Sequence, residues 1–178
     1  MTLIETLVAI TILSVAIVAP MSLTIQSLLA AYYARDQVVA SNLAQEAIES
    51  VRAVRDGNIL RIALNIPEGS CTPTNLLCGI PIGEDFMIDT RDNEITECDI
   101  DGTSACNPLQ TDPGETLYGY QSGWVDTQFV RIVRAEFVDV AENEIRITVT
   151  VTREGGGVFP SVVIHENLYR WVEDGSGA

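Results

Sequence analysis

Three patterns of hydrophobic and polar positions follow one another along this chain. Residues 6–34 carry no charge at all, between Glu5 and Arg35. As a helix that run measures roughly 43 Å at about 1.5 Å per residue, ample for a hydrocarbon core of about 30 Å. From Val39 to Val54 the period becomes helical. Val39, Ala40, Leu43, Ala44, Ala47, Ile48, Val51 and Val54 cover about half a wheel, with Asn42, Gln45, Glu46, Glu49 and Arg52 opposite. This is an amphipathic continuation of the first helix. Asp56-Gly57-Asn58 predicts its end, with Gly57 as the stop.

The third pattern is alternation. In "EIRITVTVTR", Ile145, Ile147, Val149 and Val151 share one face and Arg146, Thr148, Thr150 and Thr152 the other. "QFVRIVRAEFVDV" is a longer β-prone run, and Ala141-Glu142-Asn143 predicts a turn between the two. After Gly155-Gly156-Gly157, "SVVIHENLYRWV" gives a third strand. The expectation is an antiparallel meander over 128–140, 144–153 and 161–172, packed on the apolar stripe of residues 39–54, with "ETLYGYQSGW" as a further edge strand. The fold class is α+β: one long N-terminal helix packed on a C-terminal antiparallel β-sheet, with a disulfide-containing connecting loop. Residues 1–34 form the hydrophobic N-terminal helix. Residues 35–178 form the soluble head, comprising a helix over 35–55, a cysteine-rich acidic loop region over 56–127 and the meander over 128–172.

Charge narrows the list of partners. Of 178 residues, 25 are acidic and 10 basic, for a net charge of −15, and every basic residue is arginine. Nucleic acid is not an expected partner, because phosphate binding needs a basic stripe. Docking on anionic lipid is disfavoured for the same reason. The four cysteines, Cys71, Cys78, Cys98 and Cys106, lie together between the helix and the later strands. With no C-x-x-C pair and a single histidine, they read as two disulfides formed outside the cytoplasm. Three pairings are open, of which Cys71–Cys78 with Cys98–Cys106 is the most local. Residues 84–101 hold eight acids and one arginine. Asp99 and Asp101 before Gly102 are a weak match to a calcium loop, lacking a third spaced acid and the later Glu. A solvated acidic loop is the expected reading, with calcium as the alternative and no other cofactor implied.

Glu5 is the odd residue. A carboxylate near the start of a greasy helix costs free energy and usually has a partner. The segment also lacks the basic residues that precede a signal peptide's apolar core or flank a signal anchor. The expectation is that a basic leader preceded Met1 and was removed, which leaves a new amine close to Glu5.

"TLIETLVAITIL" resembles the N-terminal segment of type IV pilins and the pseudopilins of type II secretion, and "ASNLAQEAIESVRAVRD" resembles the amphipathic half of their first helix. The match covers residues 1 to about 55, and Met1 stands where the family usually has Phe. The resemblance implies cleavage by a membrane prepilin peptidase and methylation of the Met1 amine. It implies that Glu5 pairs with an N-terminal amine, its own or a neighbour's, when helices bundle in a filament. It also implies that Pro20 lets residues 14–20 lose helical pairing when the subunit leaves the bilayer. A simpler role for Glu5 is to complement the positive end of its own helix, worth about 0.3–1 kcal/mol.

No nucleophile elbow, phosphate loop or metalloprotease helix is present, and His165 stands alone on a polar strand face. The chain is not expected to be an enzyme. The resemblance implies a structural subunit of a type IV pilus-like filament, partnered by its own copies, by the inner membrane before assembly and by the pilus assembly machinery. Its place would be the cell surface, with an inner-membrane precursor. The alternatives are a minor pilin or secretion pseudopilin and, from another class, a membrane-anchored extracellular binding module.

Overall fold

A computed structural model of the chain describes residues 2–64, 77–98, 106–114, 117–139, 144–154 and 161–169. It divides into two compact units, Met1–Val39 and Ala40–Ala178. A single helix, α1, spans Leu3–Ala63.

The first unit is helix alone. Residues 2–35 are exposed wherever their side chains are described, so this half of α1 has no covered face.

In the second unit the rest of α1 lies on an antiparallel sheet. Ala40, Leu43, Ala44, Ala47, Ile48 and Val51 are buried, six of the eight residues of the predicted stripe. The helix does not stop at Gly57, as its 35–55 assignment required, but continues to Ala63. Positive-φ glycines among the described residues are Gly79, Gly83 and Gly123; Gly57 keeps helical geometry, at a cost of about 1 kcal/mol relative to alanine. The good helix formers Ile59 to Ala63 follow it, and Arg61 suits the negative end of the last turn. Asn58 turns inward instead of ending the helix: its buried amide donates to the Cys78 carbonyl at 2.9 Å.

The sheet has seven strands: β1 Asp85–Asp89, β2 Glu94–Glu97, β3 Pro108–Thr111, β4 Tyr118–Gly119, β5 Val125–Phe137, β6 Glu144–Arg153 and β7 Val162–Tyr169. The predicted meander is β5–β6–β7, paired antiparallel over nine and then eight residue pairs from Phe129↔Arg153 to Val151↔Val162. The region 56–127, expected to be loop, contains four strands. β1 and β2 form one hairpin, whose connection places Asn93 at φ 60°, a left-handed position that Asn tolerates. β3 and β4 form a second hairpin, and "ETLYGYQSGW" supplies β4.

Strand β5 organises the sheet because it is long enough to serve two hairpins on one edge. Val133 pairs with Phe86 of β1 and Val130 with Pro108 of β3, while both also pair with β6 on the opposite edge. The two hairpins therefore meet end to end beside β5. Its inward face, Phe129, Arg131, Val133 and Ala135, is buried with Ile145, Ile147, Val149 and Val151 of β6. Arg52 on α1 is ion-paired with Glu166 on β7, which ties the helix to the far edge of the sheet.

Candidate assembly surface

The N-terminal half of α1 presents an unusual surface for water. Leu3 is 83 % exposed, Val15 69 % and Leu23 68 %. An 18-residue window of α1 reaches a mean hydropathy of 2.3, so the helix is long and apolar enough to cross a membrane. A helix that is apolar on all sides needs lipid or protein around it. Its hydroxyls reinforce this character. Thr6 donates to Leu3 O, Thr11 to Val8 O and Ser14 to Ile10 O, each at 2.8 Å, and Thr24 donates to Pro20 O at 2.9 Å. Each of these four polar groups is satisfied within its own helix and asks nothing of a neighbour.

Glu5 differs. The Thr2 backbone N–H donates to its carboxylate at 3.3 Å, and the Glu5 and Thr6 N–H groups donate to Thr2 O at 3.0 and 3.3 Å. Thr2 is thus the N-cap and Glu5 the third helical residue, reaching back as in half of a capping box. The Thr-x-x-Glu spacing carried that signal. The other carboxylate oxygen has no hydrogen bond among the described residues. Met1 lies outside the described residues, so its amine is not placed relative to Glu5.

Pro20 sits within an unbroken helix, and residues 14–20 are helical. Proline has no N–H to donate to the carbonyl four residues earlier, here Ala16. A shallow apolar groove of about 430 Å³ follows, lined by Ala16, Ile17, Pro20, Met21, Thr24 and Ile25.

The head contains polar chemistry that the sequence reading did not single out. Arg131 on β5 is fully buried. Its Nη1 donates to Leu43 O on α1 at 3.1 Å and its Nη2 to Ile88 O on β1 at 2.6 Å. β1 leaves β5 after Phe86, and the guanidinium takes up a carbonyl that β5 no longer pairs. Its closest carboxylate contact is Glu46, at 3.8 Å. Burial pushes the guanidinium down from its ordinary value, against the opposing influence of Tyr120, Glu46 and Asp89. Burial likewise pushes the Tyr120 phenol up, against Arg131. Arg131 Nε and the Tyr120 hydroxyl are both buried without a well-formed hydrogen bond, though close enough to influence each other.

Asp89, at the end of β1, is also buried. It accepts from Arg91 N–H at 3.1 Å, from Tyr120 N–H at 3.0 Å and from the Gln121 amide at 3.0 Å. Burial opposes its charge, yet these hydrogen bonds and the Arg91 guanidinium hold its carboxyl below the ordinary value. This carboxylate clamps the first hairpin to the second. The pairing of Gly119 with Gln110 in the second hairpin leaves no Cβ in the way.

The cysteine expectation is met where it is described. Cys98 and Cys106 are joined, Cys78 is disulfide-bonded, and no described cysteine is free; Cys71 lies outside the described residues. Asp99 and Asp101 also lie outside them, and no group of three potential ligands among the described residues could hold a metal ion. His165 lies on the outer face of β7, with its Nδ1 2.9 Å from Thr148 Oγ1.

Comparison of the chain with protein-family models, with curated proteins and with solved structures finds no match in any of the three. The architecture, an apolar helix continued onto an antiparallel sheet with a disulfide in a loop, is compatible with a pilin fold.

Proposed function

We propose that this chain is a structural subunit of a type IV pilus-like extracellular filament, held in the inner membrane by the N-terminal half of α1 before assembly and bundled through it afterwards. The observation that carries this reading is an apolar helix exposed on all sides, with self-satisfied hydroxyls along it and a carboxylate near its tip. Water is a poor environment for such a surface, and lipid and neighbouring helices are the two environments that suit it. The Met1 amine, freed by prepilin peptidase, is the partner for Glu5 in this assembly, and Pro20 supplies the local give. The subunit has no catalytic role and requires no cofactor.

The role of Glu5 is separable from its capping contact. Glutamine at the third helical position also accepts the cap hydrogen bond, so Glu5→Gln keeps the local geometry and removes the charge. Electron cryo-microscopy of material sheared from producing cells should show filaments with α1 in the core. Glu5→Gln should insert in the membrane normally and yield few filaments. Wild-type filament yield from that variant would reduce Glu5 to a helix cap, and absence of filaments from the parent chain would overturn the assembly reading.

A further inference from the structure

The junction of the two hairpins is a polar depression. One cleft of about 330 Å³ is lined by Asn107, Gln110, Tyr120, Gln121, Ser122 and Asp126 among others. A second of about 240 Å³ adjoins it, sharing Asn107 and Tyr120 and extending to Met87, Glu94 and Thr96. The first falls within the size range of small-molecule sites, about 300–1,000 Å³.

Its polar groups are fixed by bonds that use only part of their capacity. The Gln110 amide donates to Asp126 Oδ1 at 2.9 Å, which leaves the Gln110 carbonyl oxygen and Asp126 Oδ2 unused. The Gln121 amide donates to Asp89 Oδ2, which leaves the Gln121 carbonyl oxygen. Asn107 uses its backbone N–H on Met87 Sδ at 3.2 Å, and its side-chain amide takes no partner among the described residues. The turn from Gln121 to Trp124, closed by Trp124 N–H donating to Gln121 O at 3.1 Å, needs Gly123 at φ 88° and forms the lip.

We propose that this depression binds a neutral pyranose sugar. Planar amides and a carboxylate, each with two acceptor or donor positions side by side, match the adjacent hydroxyls of a pyranose ring. Pro108 supplies the apolar contact for its C–H face. Asp89, Glu94 and Asp126 line the same depression and repel anionic sugars, as does the net charge of −15. Asp89 itself is a framing residue, since three protein donors already occupy its carboxylate. This site belongs to the head and is independent of the filament reading, so either can fail alone.

The test is a two-dimensional amide NMR titration of the full chain in zwitterionic micelles, which carry no glycoside headgroup. The probes are methyl α-D-mannopyranoside, methyl β-D-galactopyranoside, N-acetyl-D-glucosamine and, as the anionic counterpart, N-acetylneuraminic acid. Saturable shifts confined to residues 87–96 and 107–126 are expected with at least one neutral sugar, together with at least tenfold weaker binding of the anionic one. Asn107→Ala and Asp126→Asn should each weaken that binding by about tenfold with the rest of the spectrum retained, while Thr150→Ala on the outer face of β6 leaves it unchanged. Absence of saturable shifts with all three neutral sugars overturns the proposal. So do shifts located elsewhere, or equal binding of the anionic sugar.

Discussion

A Cβ on Gly119 would stand 2.9 Å from Oδ1 and 3.1 Å from Oδ2 of Asp89. Glycine at this position is therefore a condition for the carboxylate that joins the two hairpins. Asp89 lies in the acidic stretch that a sequence pattern reads as loop and Gly119 in the expected edge strand, and together they make this region a structured part of the sheet.

Gly119→Ala should push the Asp89 side chain out of its three hydrogen bonds and destabilise the head by about 1–3 kcal/mol. The three atoms nearest that Cβ all belong to Asp89, so the two sites should be coupled. In an Asp89→Ala background the same Gly119→Ala change should cost clearly less. Urea unfolding of the two single variants and the double variant measures this, and simple additivity would disprove the close approach.

Acid should find the same carboxylate. A depressed native pKa means that the stabilising contribution of Asp89 is fully present above its unfolded value, near 3.8, and is lost as pH falls through the lower native value. Asp89→Asn should therefore destabilise at neutral pH, by about 1.5–3 kcal/mol for hydrogen bonds to a charge. It should also flatten the stability profile below about pH 4. Equal slopes for parent and variant across that window would show that Asp89 does not carry the effect.

Arg131 predicts an order of variants. Arg131→Leu should keep most of the packing but orphan the Ile88 carbonyl, lowering stability by about 1–3 kcal/mol. Arg131→Ala adds a cavity and should be worse by a further 1 kcal/mol or about that. A leucine variant as stable as the parent would mean that the guanidinium does not hold β1 to β5 and α1.

Cys98 and Cys106 are eight residues apart in sequence, and closure of so short a loop contributes about 2.5 kcal/mol on a chain-entropy basis. Cys98→Ser with Cys106→Ser should lower the midpoint of thermal unfolding accordingly while leaving the β5–β6–β7 meander intact. Circular dichroism together with non-reducing mass mapping checks both halves. Loss of the strand signal would show that the bond organises the sheet as well as the loop.

The sequence made the long-range elements legible and hid the short ones, for a physical reason. β6 alternates without a break, and β5 and α1 bury long apolar faces, so pattern alone locates them. β2 is Glu-Ile-Thr-Glu and β3 is Pro-Leu-Gln-Thr. Neither has strand character by itself, and each is held by the edge it joins. Arg131 could have been found: it shares the parity of Phe129, Val133 and Ala135, which places a cation on the inner face. Glu166 has the same relation to Ile164 and Leu168. The helix stop at Gly57 failed because glycine ends a helix only where the chain also turns left-handed, and the buried Asn58 draws it onward. At the candidate assembly surface the apolar run and Glu5 were plain in the sequence. The capping contact was written in Thr2-x-x-Glu5, though it competes there with the resemblance to pilins.

The four self-bonded hydroxyls of the N-terminal helix have a consequence for how such helices recognise one another. At those four positions the hydroxyl proton is turned back on the helix's own backbone and offers a side-by-side neighbour little to tell one longitudinal offset or rotation from another. In the bundle proposed above, specificity within this segment would then be concentrated at distinct marks: the charge of Glu5, the notch at Pro20 and the polar side chains Ser22, Gln26 and Ser27. Changing apolar residues between those marks should then alter how tightly the rods adhere without altering where they stop.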